Sequence, residues 1–421
     1  MPNPQTDFVD YEKFFDCVHC GLCLSFCPTY VELGTEMDSP RGRIMIMRGL
    51  HEGRLALNAE AVRHLDLCLG CRACETACPS GVHYGELIEG VRPFIEQHYQ
   101  RPLSERLKRW AINTIFPSRL GMQLFSLVLK TGAFLRLGRF ARSRYIPPRA
   151  RFLFGLLPEK GATSSATLLE RYPALGTQRY TVALLSGCVM PALFGATNQA
   201  TVKVLRHNGC EVVVPKGQGC CGALLLHNGS KAAALDLARR NIDVFSNLKI
   251  DAVIINAAGC GAMMKEYGEL FKEDPTYSDK AKELVAKMRD VSEFLGSISL
   301  KTPTQEVRAK VTYHDACHLA HGQSVREQPR ALLRAIPGLQ LVDLQESDWC
   351  CGSAGTYNLT ESEMAHRLLD RKVKNIQASE AELVVTGNPG CLMQIRAGLQ
   401  QTGLPIKAIH TIDLLAAAYE E

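Results

Sequence analysis

Short apolar and β-branched runs alternate with longer helical patterns in the second half of the chain. The strand-like runs are Tyr180-TVALL-Ser186, Cys210-EVVV-Pro215 and Ala252-VII-Asn256. The segment from Lys231 to Asn247 follows a helical pattern, and in the first half a helix-like stretch covers Arg43 to Glu52. This alternation predicts an α/β fold with a mainly parallel sheet in the second half.

The region between about residues 95 and 175 is helical in pattern and strongly basic. Leu120, Leu124 and Leu127 fall near helical spacing. From Arg101 to Arg151 there are twelve Lys or Arg residues and one acid, Glu105, so this stretch carries +11 whereas the whole chain carries +5. Two interpretations stay open: a basic helical hairpin packed on its neighbours, or an amphipathic element resting on an anionic membrane surface or an acidic partner. We expect no membrane span, because the longest uncharged apolar stretch is about half the length that a span needs.

The cysteine content is the unusual feature of the composition. The chain has 421 residues with 46% hydrophobic and 22% charged residues, and it contains 17 cysteines. Its length fits about three soluble domains. The first residues, MPNPQTDFVDYEKFFDC, lack the basic and apolar regions of a secretion signal, so we expect a cytoplasmic protein with reduced thiols. Reduced cysteines in clusters commonly serve as metal ligands or redox groups.

Two cysteine runs, at residues 17–28 and 68–79, share the spacing C-x2-C-x2-C-x3-C-P. This is the bacterial [4Fe-4S] ferredoxin run, in which the fourth cysteine of each run ligates the other cluster. The predicted ligands are Cys17, Cys20, Cys23 and Cys78 for cluster 1, and Cys68, Cys71, Cys74 and Cys27 for cluster 2. Zinc is the alternative metal, but structural zinc sites use two ligand pairs separated by a loop. Because the segment between the runs is longer than a compact ferredoxin sheet needs, we expect a helical ferredoxin scaffold.

Three arginines, Arg41, Arg43 and Arg72, lie close to these runs in the sequence. A positive charge beside a cluster would raise its reduction potential. We expect instead that these arginines are solvated residues at the ends of helices.

The cysteines of the second half form a repeat. Cys188, Cys220, Cys221 and Cys260 recur as Cys317, Cys350, Cys351 and Cys391, at offsets of 129, 130, 130 and 131 residues. This regularity predicts two homologous domains whose cysteines meet at the carboxyl edge of a sheet. Four thiolates in each copy suffice for a further iron–sulfur cluster or another metal. Cys210 has no counterpart, and we expect it to be a small buried residue at the start of a strand.

The predicted fold class is therefore multi-domain, α and α/β. We expect an α-helical ferredoxin-like domain with two [4Fe-4S] motifs at 1–95 and a basic helical linker at 96–177. Two homologous cysteine-rich α/β domains should follow at 178–300 and 301–421.

His314, His318 and His321 surround Cys317, and the first copy has no equivalents. Three histidines beside a candidate ligand would tune a cluster or carry protons to a bound acceptor. The sequence has no G-x-G-x-x-G, P-loop, H-E-x-x-H or G-x-S-x-G motif. We therefore expect no catalytic residue for an organic substrate in this chain, and we assign that chemistry to a partner.

The repeated half resembles the cysteine-rich CCG domains of heterodisulfide reductases and their relatives. A copy in that family has one cysteine, then Cys-Cys-Gly, then C-x-x-C. Met263 and Gln394 stand here at the position of the closing cysteine. Each copy therefore offers four of the five cysteines with which some relatives hold a non-cubane cluster.

The order of parts resembles the iron–sulfur subunits of glycolate oxidases. The resemblance covers VHCGLCLSFCPTY, DSPRGRI, HLDLCLGCRACETACPSGVHYGELIE, RPLSER and both CCG copies. It implies an electron-transfer subunit of an oxidoreductase complex, with FAD on partner subunits that oxidise glycolate to glyoxylate. It also implies electron delivery to quinone or another membrane acceptor, and a peripheral position on the cytoplasmic face of the inner membrane.

Other functions stay open at the level of sequence. The iron–sulfur subunit of anaerobic glycerol-3-phosphate dehydrogenase has the same order of parts, and lactate-oxidising and heterodisulfide-reducing proteins are further relatives. The DSPRGRI stretch favours glycolate. A zinc-binding scaffold or a nucleic-acid module fits the basic stretch, but the ferredoxin spacing and the lack of interleaved aromatic residues oppose both. We therefore expect no nucleic-acid partner.

Overall fold

Residues 8–98 of the computed structural model fold as helices joined by turns and loops. The structure describes residues 8–142, 145–147, 151, 154–157 and 168–420. The first helices span Pro28–Leu33, Pro40–His51, Ala59–Asp66, Ala73–Thr76 and Tyr84–His98, with 3-10 turns at Tyr11–Phe14 and Glu36–Asp38. No strand forms among the residues described before Arg171. The helical ferredoxin scaffold is thus confirmed, and the helix expected at Arg43 to Glu52 is the one at Pro40–His51.

Capping residues define where these helices begin. The Ser39 hydroxyl accepts the backbone N–H of Gly42 at 3.0 Å, and Pro40 occupies the first helical position. The Asn58 side chain accepts the N–H of Ala61 at 2.9 Å in the same way. The apolar faces of the helices form a core that includes Phe14, Met47, Leu65, Leu87 and Val91.

Two further helices, Leu103–Ile115 and Arg119–Phe134, form the basic region, followed by a 3-10 turn at Leu137–Arg142. The helical pattern expected here is confirmed in its described part. The break between the two helices falls at Pro117, which has no N–H to continue the first one. Within the described residues, no helix combines the length and the apolar character that a membrane crossing requires.

The first sheet follows the basic region and has five strands. They are β1 (Arg171–Tyr172), β2 (Tyr180–Leu184), β3 (Cys210–Val213), β4 (Ala252–Ile255) and β5 (Met288–Asp290). Their order is β1-β3-β2-β4-β5, and every neighbouring pair is parallel except β1 with β3. The helices around the sheet span Val189–Leu193, Gly195–His207, Ala223–His227, Lys231–Ser246, Ala258–Lys265, Tyr267–Leu270, Ser278–Lys287 and Val291–Ser297. Cys210 begins β3 and is fully buried, as expected.

The second sheet has four parallel strands. They are β6 (Ala309–Tyr313), β7 (Leu339–Val342), β8 (Leu383–Thr386) and β9 (Lys407–His410), in the order β7-β6-β8-β9. The helices of this part span Cys317–Ala320, Glu327–Arg334, Tyr357–Thr360, Ser362–Ala378, Pro389–Thr402 and Thr411–Ala417. Apart from the short β1, the two sheets have the same strand order.

Equivalent hydrogen bonds show that the two sheets are copies of one unit. The N–H of Leu185, after β2, donates to Ile254 O at 3.0 Å, and the N–H of His314, after β6, donates to Val385 O at 2.8 Å. Leu185 and His314 are 129 residues apart, the same offset that separates Cys188 from Cys317. The predicted repeat is therefore present in the fold.

One apolar core joins the two sheets. It includes Val182 and Ile254 from the first sheet and Val311 and Val385 from the second. Polar bonds cross the same junction: the imidazole of His410 is 2.9 Å from Asn256 O, and Thr197 Oγ1 is 2.9 Å from a carboxylate oxygen of Asp413. The two sheets thus form one packed body, which fixes the relative position of their cysteines.

Candidate metal centres

A concave pocket near the amino end is lined by thiols from both ferredoxin runs. Its lining includes the four predicted ligands Cys17, Cys20, Cys23 and Cys78, and also Cys74. Gly21 lies between two of these cysteines with φ of 85°, a left-handed conformation that glycine adopts without strain and that lets the loop turn sharply. Burial raises the pKa of the Cys23 thiol to about 11. Cys20 is exposed, so this pocket opens to solvent.

A second pocket contains the complementary four cysteines and is more enclosed. Its lining includes Cys27, Cys68, Cys71 and Cys74. The Gly70 N–H donates to Cys68 Sγ at 3.4 Å, and the hydroxyl of Tyr84 donates to the same sulfur at 3.6 Å. Burial, and then the neighbouring thiols, raise the pKa values of Cys71 and Cys74 well above the ordinary value.

The last cysteine of each run lies with the first three of the other run. Cys78 lines the pocket of the first run, and Cys27 lines the pocket of the second. This crossed arrangement is the one in which two-cluster ferredoxins bind their metal. The structure therefore groups seven of the eight cysteines as the spacing predicts, whereas Cys74 lines both pockets. The role of all eight as ligands stays a prediction.

Arg43 departs from expectation, because it is buried and not solvated. Only 1% of its surface is exposed, and its guanidinium is 3.9 Å from Cys27 Sγ, 3.0 Å from Thr29 Oγ1 and 3.8 Å from the Asp38 carboxylate. Burial alone would lower its pKa, but the surrounding thiols, Tyr84 and Asp38 raise it well above the usual value. Arg43 is thus a fixed positive charge beside the second pocket.

The other two arginines also form defined ion pairs. Arg41 pairs with Glu36 at 2.6 Å and donates to His19 O at 3.1 Å. Arg72 pairs with Glu75 at 2.8 Å and, across to the first sheet, with Glu266. Arg41 is partly exposed, which fits the expectation, whereas Arg72 joins two parts of the fold.

The four cysteines of the first repeat meet at the carboxyl ends of the strands. Cys188 Sγ lies 3.5 Å from Cys220 Sγ, and Cys221 is hydrogen-bonded through its thiol to Cys220 and Cys260. Cys220 and Cys221 are buried, whereas Cys188 and Cys260 are half-buried. Carboxyl strand ends are where parallel α/β folds place their ligands.

The second repeat brings its cysteines together in the same chain of contacts. Cys317 interacts with Cys350, Cys350 with Cys351, and Cys351 with Cys391. The Cys350 thiol, and then burial, raise the pKa of Cys317 well above its ordinary value. The Asn388 amide donates to Cys391 Sγ at 3.3 Å.

The three histidines of the second repeat face different groups. His314 lies against Cys351 and Cys391, with one ring nitrogen and the two sulfurs all within 4.8 Å of one another. His318 reaches back to the ferredoxin region, where its Nε2 is 3.1 Å from Gly70 O. His321 has Nδ1 2.9 Å from Thr76 Oγ1.

Their surroundings hold at least two of these histidines in the neutral form. Burial, with Lys372 nearby, lowers the pKa of His314 to about 3. Burial, with His227 nearby, lowers the pKa of His318 to about 4. Nothing in the sequence singles out Lys372, because a lysine within a helix normally points to solvent. Here it is fully buried, and its ammonium is 3.3 Å from Ser347 O.

The second ferredoxin pocket lies directly beside the second repeat. Cys71 is an electrostatic neighbour of Cys317 and Cys350, and all three belong to one packed cluster that also contains Tyr357. The Tyr357 hydroxyl donates to Leu67 O at 2.9 Å. Two of the four thiol groups are therefore adjacent inside the protein.

The residues present fit iron–sulfur groups. Every set consists of four soft sulfur donors, which are the ligands of iron–sulfur clusters. Burial and then the neighbouring thiols raise the pKa values of Cys71 and Cys74, and the hydrogen bond to Cys350 and then burial raise that of Cys317. A bound cation would favour the thiolate form that a metal ligand must adopt. The fold and the four cysteine sets define an iron–sulfur protein of the electron-transfer class.

Comparisons with known proteins identify the family. Residues 13–82 match the 4Fe-4S dicluster domain, and residues 182–265 and 311–396 match the cysteine-rich domain CCG. The chain is 40% identical to the probable glycolate oxidase iron-sulfur subunit of Bacillus subtilis (strain 168), over 99% of this chain and 97% of that protein. It is 37% identical to the glycolate oxidase iron-sulfur subunit of Escherichia coli (strain K12), over 89% and 88% of the two chains. The chain belongs to the family of glycolate oxidase iron–sulfur subunits.

A third relative covers only part of the chain. Lactate utilization protein A of Halalkalibacterium halodurans (strain ATCC BAA-125 / DSM 18197 / FERM 7344 / JCM 9153 / C-125) is 32% identical over 56% of this chain and 96% of its own length. The comparisons confirm the resemblance stated from the sequence, the two CCG copies and the role of an electron-transfer subunit in an oxidoreductase complex. The domain limits stay a prediction, and the Tyr84–His98 helix runs across the limit expected between residues 95 and 96.

Proposed function

We propose that this chain carries electrons from flavin-binding subunits, which oxidise glycolate to glyoxylate, to quinone or another membrane acceptor. The observation that carries the proposal is the contact between the second ferredoxin pocket and the cysteines of the second repeat, at Cys71, Cys317 and Cys350. Redox groups held by neighbouring thiols inside one packed body suit electron transfer. The names of the full-length relatives support glycolate as the substrate of the complex.

Each cysteine set is assigned one metal group. We assign Cys17, Cys20, Cys23 and Cys78 to one [4Fe-4S] cluster and Cys68, Cys71, Cys74 and Cys27 to the other. We assign further iron–sulfur groups to Cys188, Cys220, Cys221 and Cys260 and to Cys317, Cys350, Cys351 and Cys391. Each [4Fe-4S] cluster, when bound, accepts and gives up one electron.

The side chains around the second ferredoxin set shield it from water. The second pocket is walled by buried residues, and Tyr84 and Gly70 donate hydrogen bonds to Cys68. Such bonds stabilise the thiolate form that a metal ligand must adopt. Arg43 supplies a buried positive charge beside the same pocket. We assign no step of glycolate oxidation to this chain, and FAD belongs to the partner subunits.

The two helices of the basic region support a peripheral contact with the membrane. Their outer face carries an apolar strip, which consists of Leu103, Leu107, Trp110, Leu120, Leu124, Leu127 and Val128. All of these side chains are exposed, Trp110 by 66% and Val128 by 67%. An apolar strip of this size facing solvent marks an interaction site, and with exposed Arg106 and Lys108 beside it we propose an anionic lipid surface as the partner. The inner face packs on the rest of the protein through buried apolar side chains such as Met122 and Leu129, and through polar contacts such as Ser126 Oγ to Ala192 O at 2.9 Å.

Substituting one ligand in each ferredoxin set tests the proposed function. We expect Cys20→Ser and Cys71→Ser to abolish electron flow from flavin to quinone in the assembled complex, while the flavin subunit still reduces an artificial dye. Cys210→Ala is the matched control, because Cys210 is buried in β3 and belongs to none of the four sets. Retained quinone reduction in either ligand variant would contradict the proposal.

The composition of the purified complex tests the substrate. We expect anaerobic protein to contain about eight or more irons per chain and little zinc, since two [4Fe-4S] clusters alone account for eight. It should co-purify with flavoproteins that oxidise glycolate. Flavoproteins that oxidise glycerol 3-phosphate and not glycolate would assign the chain to the alternative complex, and a colourless zinc protein would overturn the iron–sulfur function.

A further inference from the structure

His314 is a buried imidazole with one nitrogen that has no partner. The residue is fully buried, and its Nδ1 is 3.0 Å from Ser347 O. Its Nε2 has no hydrogen-bond partner among the described residues. A buried polar atom without a partner costs about 1–3 kcal/mol, so such an atom calls for a ligand.

The hydrogen bond at Nδ1 decides the form of the ring. A backbone carbonyl can only accept, so Nδ1 of His314 carries the proton and donates it to Ser347 O. The neutral ring then has its lone pair on Nε2. This is how metal-binding histidines are commonly oriented, with one nitrogen donating to a carbonyl and the other facing the metal.

The unpartnered nitrogen of His314 lies among the cysteine thiols of the second repeat. A ring nitrogen of His314 and the sulfurs of Cys351 and Cys391 all lie within 4.8 Å of one another, and all three residues are buried. Because Nδ1 is already bonded to Ser347, Nε2 is the nitrogen available to this group. Cys317 and Cys350 extend the same set through their contacts with Cys351.

The first repeat has no such nitrogen. Leu185 occupies the position of His314, because its N–H makes the equivalent bond to the neighbouring strand. In the second repeat, the position one helical turn after Cys391, where relatives have a closing cysteine, holds Gln394, whose side-chain oxygen accepts from the Asn358 amide at 3.0 Å. The second repeat thus lacks the fifth thiol and gains an imidazole.

We propose that His314 Nε2 is a ligand of an iron–sulfur centre in the second repeat, together with the four cysteines of that repeat. This inference rests on the iron–sulfur function proposed above. Five donors exceed the four of a structural zinc site and suit a polynuclear iron centre. A neutral imidazole in place of an anionic thiolate raises the reduction potential of an iron–sulfur centre, as histidine ligands do in Rieske centres.

Pulsed electron paramagnetic resonance on the full chain tests the ligand directly. Protein labelled with ¹⁵N-histidine and reconstituted anaerobically with iron and sulfide should show histidine nitrogen coupled to one centre. A variant with Cys350→Ser and Cys351→Ser assigns the signal to the second repeat by abolishing it. We expect His314→Cys and His314→Gln to lose the coupling, and His318→Asn, from the short helix that follows, to keep it. His314→Cys should also shift the midpoint potential of that centre to a lower value.

Each outcome separates this inference from the proposed function. Coupling that survives in both His314 variants, or that is missing from the wild-type centre, overturns histidine ligation while the ferredoxin clusters remain in place. An iron content that is unchanged in the variant with Cys350→Ser and Cys351→Ser would show that the second repeat binds no iron, which also overturns it. If the wild-type chain bound no iron after anaerobic reconstitution, the proposed function itself would be overturned.

Discussion

Single residues with buried charges set the electrostatics of the metal centres. Arg43 makes the clearest case, because its guanidinium is held by Thr29, Asp38 and His64 O at 2.7 Å while it lies 3.9 Å from Cys27. A charge that cannot be screened by water acts strongly on a neighbouring redox group. Lys372 stands in a similar position beside Cys350 and Cys351.

Replacing Arg43 should change the second ferredoxin cluster. We expect Arg43→Met to lower the midpoint potential of that cluster, because the positive charge is lost. It should also destabilise the protein by roughly 1–3 kcal/mol, because Thr29 Oγ1 and the His64 carbonyl each lose a buried hydrogen bond. A redox titration followed by electron paramagnetic resonance measures the potential. Arg54→Gln, at an exposed position, is the control. An unchanged midpoint would show that Arg43 serves packing alone.

Asp290 gives a second prediction, for the pH dependence of stability. Burial raises the pKa of its carboxyl from 3.8 to about 7. The folded state therefore keeps a proton that the unfolded state releases, so the contribution of Asp290 to stability is full below about pH 4 and is lost as pH rises to 7. Between pH 5 and pH 8 the protein should lose roughly 2 kcal/mol relative to Asp290→Asn.

The Asp290 comparison needs a variant that keeps the helix intact. Asp290 caps the Val291–Ser297 helix by accepting the Ser292 N–H at 2.8 Å, and asparagine caps equally well. Thermal unfolding of both proteins across this pH range measures the difference. If the stability of the two proteins changed with pH in the same way, Asp290 would be ionised in the folded protein across this range.

The grouping of most cysteines could be predicted from the sequence, but the side chains that surround them could not. The spacing of the two runs predicts which thiols share a pocket, since covalent geometry limits how a loop wraps a cluster. The burial of Arg43 depends on the packing of distant segments, so the sequence suggested a solvated residue. The three histidines around Cys317 look alike in sequence, yet only His314 faces Cys351 and Cys391. Side-chain direction at a strand end is decided by the tertiary fold.

Among the structural elements, the two helices of the basic region have an unusual distribution of polarity. Arg101 is buried against Asp66 at 2.7 Å, so part of the basic charge serves internal ion pairs. The apolar strip faces outward instead. The sequence left both packing and membrane contact open, because a helical pattern shows which residues share a face but not which face meets the protein. In the structure the inward face holds apolar residues such as Met122 and Leu129 as well as polar contacts, while a second apolar face stays exposed.

Charges placed in the apolar strip should abolish membrane association. We expect Leu124→Glu with Leu127→Glu to release the protein from vesicles that contain anionic lipid. The two acidic side chains remove apolar area that would be buried in the membrane, and they are repelled by the anionic lipid surface. Sedimentation with vesicles measures binding, and raising the salt concentration should weaken that of the wild type. Leu175→Glu, at a partly exposed position outside the strip, is the control. Unaltered binding would favour a protein partner for the strip.

At the scale of the whole molecule, the ferredoxin region is fastened to both sheets. Arg72 pairs with Glu266 of the first sheet region, His227 lies 3.3 Å from Glu89, and Tyr357 donates to Leu67 O. These contacts surround the place where Cys71 meets Cys317. The distance between redox groups is therefore set by docking between parts of the chain that are far apart in sequence.

Removing one docking bond should loosen this junction. Tyr357→Phe leaves the Leu67 carbonyl without its partner, and we expect a local loss of about 1–3 kcal/mol. Hydrogen exchange of residues 67–70 should become faster than in the wild type. Tyr172→Phe, which removes a hydrogen bond from an exposed backbone N–H at Leu169, should leave this segment unchanged. Equal exchange in all three proteins would show that Tyr357 does not hold the junction.

The unequal exposure of the two ferredoxin pockets has a practical consequence. Cys20 is open to water and is flanked by Val18 and Leu22, which are exposed by 67% and 56%, whereas Cys68 and Cys74 are buried. Dissolved oxygen and chelators reach the open side first. Protein handled in air should therefore bleach in two stages, with the outer cluster decaying while the inner one survives, and a half-bleached sample would be expected to retain the cluster beside the second repeat.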